Sequence, residues 1–135
     1  MKVAELPPHL LTYWVAGALS LPVAMEHGDV VWTRAVPAEF AARVGWVLEP
    51  GEVRRLDFVG DRALGHSIVE WIGISLERPS PGQAQRLWRA VTDWRRKTTP
   101  HQWHGPAAEQ GETALIAAMR ALVAATFGRA VPEMN

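Results

Sequence analysis

Apolar positions recur every three to four residues along most of this chain, a spacing that predicts helices. Leu10, Trp14, Ala18 and Leu21 fall on one side of a segment that Pro7 and Pro8 open and Pro22 stops. Phe40, Val44 and Leu48 line up in a second segment, from Pro37 to Glu49-Pro50-Gly51. A third, Glu52 to about Glu77, carries a stripe at Leu64, Ile68, Ile72 and Leu76. The β-branched density of Ile68 to Ile74 keeps a strand reading beside it. Ser80-Pro81 reads as an N-cap followed by Pro at the first helical position. The helix it opens runs to about Lys97, with Leu87, Val91 and Trp94 inward. A last helix, from about Ala107 to Phe127, buries Leu115, Met119, Leu122 and Thr126 and ends at Gly128. His27-Gly28-Asp29 is a turn, Val30-Val31-Trp32 a short strand or extended connection, and Thr98 to Pro106 a loop. The sum predicts an all-α domain, with a small α+β domain as the alternative.

Composition fits one folded domain spanning residues 1–135. Apolar residues make up 48% of the chain and charged ones 21%, enough for a globular core. A chain of 135 residues buries roughly two thirds of its unfolded surface. No apolar run reaches the roughly 18 residues that suggest a membrane span, and Met1 to Pro8 does not read as a signal peptide. Cysteine is absent, which excludes disulfides and thiolate zinc sites, and a cytoplasmic protein is the expectation. Fourteen basic residues balance fourteen acidic ones. The basic ones concentrate between Arg78 and Lys97 and the acids elsewhere. That separation suits a phosphate-binding metal enzyme, and equally a solvated basic helix.

The candidate chemistry centres on Arg54 to Gly65. Read as helix, this stretch stacks Asp57 and Asp61 one turn apart on a single face. Two carboxylates that close call for a divalent metal, a basic neighbour or a raised pKa. Their apolar neighbours Leu56, Phe58, Val59 and Leu64 limit screening by solvent, so the pair is a candidate hard-metal site. The plainer reading pairs them with Arg54, Arg55 or Arg62.

Leu56-Asp57-Phe58-Val59-Gly60-Asp61 resembles the signature of the ribonuclease III family: Leu, an acid, an aromatic, an aliphatic, then Gly-Asp. The family normally has Glu where this chain has Asp57. The resemblance continues through Leu64-Gly65, Glu70-Trp71 and Ser80-Pro81-Gly82-Gln83 into Arg86-Leu87. It is strongest over residues 53–91 and weaker over 109–127. Glu109 and Glu112 match the family's second acidic pair, with Glu109 standing where the family prefers Asp. Lacking a double-stranded-RNA-binding domain, the sequence looks most like Mini-ribonuclease III.

The resemblance implies a helical fold and a Mg²⁺- or Mn²⁺-dependent endonuclease that processes structured or double-stranded RNA. Asp57, Asp61, Glu109 and Glu112 would be its catalytic and metal-binding residues. Arg86, Arg89, Arg95, Arg96 and Lys97 would contact the RNA backbone. A homodimer would form through Phe58 and Val59. Two alternatives stand beside this: an inactive module of the same fold that binds RNA or dimerises, and an unrelated small helical or α+β protein in which the motif is coincidence. Other features have plain readings. Glu109 and Glu112 suit a helix's first turn. Trp88 and Trp94 suit a core, although bases can stack on such rings. His66 suits a helix surface, and His101, Trp103 and His104 suit a loop that turns its Trp inward.

Overall fold

Proline, glycine and a few capping side chains decide where each element begins and stops. The structure, a computed structural model, describes residues 1–92 and 104–133. Helix α1 (Pro8–Ala18) starts at the second proline of the pair, as expected. Its inward face is Leu11, Val15 and Ala18, one position on from the anticipated Leu10 and Trp14, which are half-buried. Strands β1 (Val23–Glu26) and β2 (Asp29–Trp32) form a hairpin in which Glu26 faces Asp29. Its two-residue loop, His27 and Gly28, has φ of 52° and 82°. Two left-handed residues give a type I′ turn, whose twist matches that of the flanking strands.

Helix α2 (Ala38–Val44) buries Phe40 and Val44 but ends early. Gly45 adopts φ 76°, the left-handed conformation that closes a helix, so Leu48 lies beyond it. Helix α3 (Arg62–Ile72) begins at Asp61, not at Glu52, and buries Leu64, Ile68 and Ile72 as the stripe predicts. Gly73, at φ 80°, ends it, and the chain continues as strand β3 (Ile74–Glu77).

The all-α expectation fails here. Strands β3, β4 (Trp88–Thr92) and β5 (Ala108–Gly111) form an antiparallel sheet in that order, and with the β1–β2 hairpin they make the chain α+β. The helix expected from Ser80 does not form. Instead Gln83 N–H donates to the Ser80 carbonyl at 3.3 Å, and Gly82 has φ 88°. Pro second and a left-handed Gly third is the pattern of a type II turn. The following segment alternates: Trp88, Ala90 and Thr92 face inward and Arg89 outward. Likewise the expected start of the last helix is strand β5. Helix α4 (Ala114–Phe127) begins only after Thr113, whose hydroxyl accepts from Ile116 N–H.

Helix α4 packs against β4, β5 and α1, and most of its residues are buried, including Leu115, Met119 and Leu122. It is the centre of the core. The chain ends meet beside it: Lys2 bridges Ala130, Val3 N–H donates to the Arg129 carbonyl at 2.9 Å, and Val131 N–H donates to the Met1 carbonyl at 2.9 Å. This pairing fixes Lys2 and Arg129 near the free edge of β5. Among the described residues no helix is long and apolar enough to cross a membrane.

Candidate functional site

The two aspartates of the signature cap the backbone. Asp57 stands in a turn that leads into α3, closed by Asp61 N–H donating to the Asp57 carbonyl at 3.0 Å. Its Oδ1 accepts from Gly60 N–H at 2.8 Å and from Val59 N–H at 3.3 Å. Asp61 is the N-cap of α3, its Oδ1 accepting from Leu64 N–H at 3.2 Å. Each carboxylate is thus aimed at backbone donors that a turn or helix start would otherwise leave unpaired. The rest of the motif is structural as well. Leu56, Phe58 and Leu64 are buried, and a side chain on Gly60 would collide with the Asp57 carboxylate.

Nor do the four acids meet. Glu109 lies on β5 and Glu112 in the turn before α4, so neither occupies the first turn of a helix. Asp57 borders a small cavity with His9, Thr12 and Asp29; Glu109 and Glu112 border a different one, and Glu112 also borders a third, beside Val59, Gly60, Arg62 and His66. Among the described residues no group of three or more His, Asp or Glu is arranged to hold a metal ion. Phe58 is fully buried in its own chain, so it cannot plug a partner, while Val59 is half-buried against the same core. Arg86 is exposed in the loop before β4, and Arg89 projects from β4 itself. They share no helix face. Arg95, Arg96 and Lys97, like His101 and Trp103, lie outside the described residues.

The capping role makes a prediction. Asp61→Ala should cost about 1 kcal/mol of stability, whereas Asp61→Asn keeps an acceptor and should cost a few tenths. Urea denaturation of both variants checks this. Equal losses would mean that the carboxylate charge, not the cap, is what the fold needs.

What the structure does assemble is a cleft along β5. Its volume is about 870 Å³, and Lys2, Arg89, Arg120, Arg129, Glu109 and Glu112 line it, together with Gln85 and Gln110. Cations outnumber carboxylates two to one in a chain whose net charge is zero. Several elements converge to place them. Arg89 comes from β4, held through Nη1 by the Glu77 carboxylate at 3.1 and 3.2 Å. Lys2 and Arg129 come from the paired chain ends. Arg120 comes from α4 and is the only charged residue in that helix.

Arg120 is the most informative of these. Its Nη1 donates to the Gln110 carbonyl at 2.9 Å, but its Nε is shielded from solvent and has no partner among the described residues. An unsatisfied buried donor on a charged group costs roughly 1–3 kcal/mol or more. Glu109 faces the same space from the inner side of β5 and forms no ion pair among the described residues. Burial pushes its carboxyl above the usual range, against the pull of Arg129 and Arg120. A carboxylate within their field yet not in contact leaves room between them. No protein-family model matches the chain, and no curated protein matches it.

The raised Glu109 titration gives a second prediction. The folded protein holds this proton more tightly than the unfolded chain, so stability falls as pH rises through the raised value. Glu109→Gln should flatten that slope and raise the melting temperature at neutral pH. Thermal unfolding across that range reads both. An unchanged slope in Glu109→Gln would remove Glu109 as its source.

Sequence reasoning found Arg89, Glu109 and Glu112 but gave them other company. It missed Lys2, Arg120 and Arg129. For Arg120 there was a signal: one guanidinium in a run of alanines and aliphatics has to be accommodated by something. For the other two there was none, because only the pairing of the chain ends brings them here.

Proposed function

We propose that this domain is a binding module whose cleft along β5 takes an anionic ligand through phosphate or carboxylate oxygens. The observation that carries this is the solvent-shielded Nε of Arg120, without a partner among the described residues, within a cleft of converging cations. A guanidinium offers a planar fork of donors matched to such oxygens. With Nη1 already engaged by the Gln110 carbonyl, a ligand in the cleft that Arg120 lines takes the remaining guanidinium N–H groups, and reaches the shielded Nε by displacing what covers it. The volume lies in the range typical of small-ligand sites. The nuclease implied by the family resemblance has less to rest on, because Asp57 caps a turn, Asp61 caps a helix, and among the described residues no three acids are grouped to hold a metal ion.

Thermal unfolding in rising inorganic phosphate or citrate, at constant ionic strength, tests this reading. Ligand at one hundred times its Kd stabilises by about 2.7 kcal/mol. The wild-type chain should gain stability in a saturable way. Arg120→Lys, which keeps the charge and loses the fork, should lose most of the gain, and the exposed Arg129→Ala should lose part of it. A gain that is the same in all three proteins, or none at all, contradicts the reading.

A further inference from the structure

The outer edge of β5, which pairs with no further strand among the described residues, turns backbone hydrogen-bonding groups into this same cleft. Thr92 N–H donates to the Ala107 carbonyl at 2.9 Å, one step beyond the last pair of the β4–β5 ladder, Val91 opposite Ala108. Antiparallel ladders alternate between pairs that exchange hydrogen bonds and pairs that do not. Counting from that bond, Ala90–Glu109 and Trp88–Gly111 are the exchanging pairs. Ala108 and Gln110 therefore point their N–H and C=O groups away from β4. The Arg120 bond to the Gln110 carbonyl agrees, since that oxygen is open to a side chain from outside the sheet. The Ala108 N–H, the Ala108 carbonyl and the Gln110 N–H are left facing the cleft, which both residues line.

We infer that the ligand is an extended acidic peptide segment, added to β5 as a further strand, with its carboxylates on the cations of the cleft. This rests on the anion-binding reading and deepens it. Strand addition draws affinity from backbone bonds and specificity from the side chains on either side. A peptide residue opposite Ala108 exchanges two hydrogen bonds with it, and the next bond along goes to the Gln110 N–H. Successive side chains of an extended chain point to opposite faces. One face of the sheet edge meets Arg120 from α4, and the paired chain ends bring Lys2 and Arg129 to the same cleft, so the peptide's carboxylates find cations there, while Arg89 stays with Glu77. Charge decides against a second copy of this chain as the occupant. Pairing β5 with its own symmetry mate would set these cations against themselves.

The probe is a synthetic five-residue peptide alternating glutamate and valine, capped at both ends, titrated calorimetrically into the full chain. Its comparisons are the same peptide N-methylated at alternate backbone nitrogens, an alternating lysine and valine peptide, and the Ala108→Pro variant. Proline on an edge strand removes only an outward N–H and is tolerated there. The acidic peptide should bind, the lysine peptide should not, and one N-methylated register should lose at least tenfold in affinity. Ala108→Pro should lose a similar factor. Equal binding of the plain and both N-methylated peptides overturns the strand pairing. If phosphate and citrate bind but the acidic peptide does not, the peptide inference falls and the anion cleft stands. If nothing binds, both fall. The N-methylation series uses the wild-type chain, so the inference stays exposed even if Ala108→Pro fails to fold.

Discussion

Phe58→Ala is expected to cost about 3–5 kcal/mol, the usual range for removing a fully enclosed phenyl ring. Phe58 has no solvent exposure and belongs to the core formed with Leu11, Leu64 and Ile68. Its own N–H is directed at the Thr12 hydroxyl on α1 at 3.4 Å, so the ring and the backbone behind it tie the α3 entry to α1. Truncation leaves a void that this rigid turn cannot collapse into. Folded domains are stable by only about 5–15 kcal/mol, so the loss is a large share of the total. Urea denaturation at several protein concentrations provides the check. A loss independent of concentration fits a ring buried in its own chain. A loss that shrinks on dilution would mean that Phe58 packs between subunits.

The second large effect is expected from Gly65→Ala, a single added methyl. A Cβ at Gly65 would lie 2.6 Å from the Phe58 carbonyl oxygen and 2.7 and 2.8 Å from the two Leu115 methyls. The leucine can rotate, but the carbonyl cannot easily retreat, because it belongs to the turn that Asp57 and Asp61 cap. Overpacking of this kind costs about 1–3 kcal/mol, and contact with fixed backbone argues for the upper part of that range. Adding Leu115→Ala should therefore rescue Gly65→Ala only in part. Full rescue in a double-mutant cycle would show that the backbone yields and the side chain was the whole obstacle.

These two positions show what a sequence pattern does and does not convey. Leu56 to Gly65 stood out because nearly every residue in it has a demanding task, and that much was legible. The nature of the task was not. A carboxylate that caps a turn and one that binds a metal are the same letter, and only the direction of the side chain separates them. The helical stripe of α3 was readable at Leu64, Ile68 and Ile72, yet Leu76 extended it by coincidence into a strand. Gly73 was the signal that should have cut it. Ser80-Pro81 is a fair helix start in isolation, but Gly82 makes a turn of it. Strand β5, Ala-Glu-Gln-Gly, has no intrinsic preference for extended structure and is made by pairing with β4 and packing under α4. That strand, together with the meeting of the chain ends, builds the cleft. Long-range pairing created the candidate site, and local pattern had no access to it.

The most direct measurement follows the Arg120 Nε–H resonance itself in a ¹H–¹⁵N spectrum, as inorganic phosphate or citrate is added at fixed pH and ionic strength. A donor without a partner among the described residues should shift progressively and saturably as an anion accepts from it, in step with the gain in thermal stability. A resonance that stays put while the anion reaches saturating levels would contradict the account.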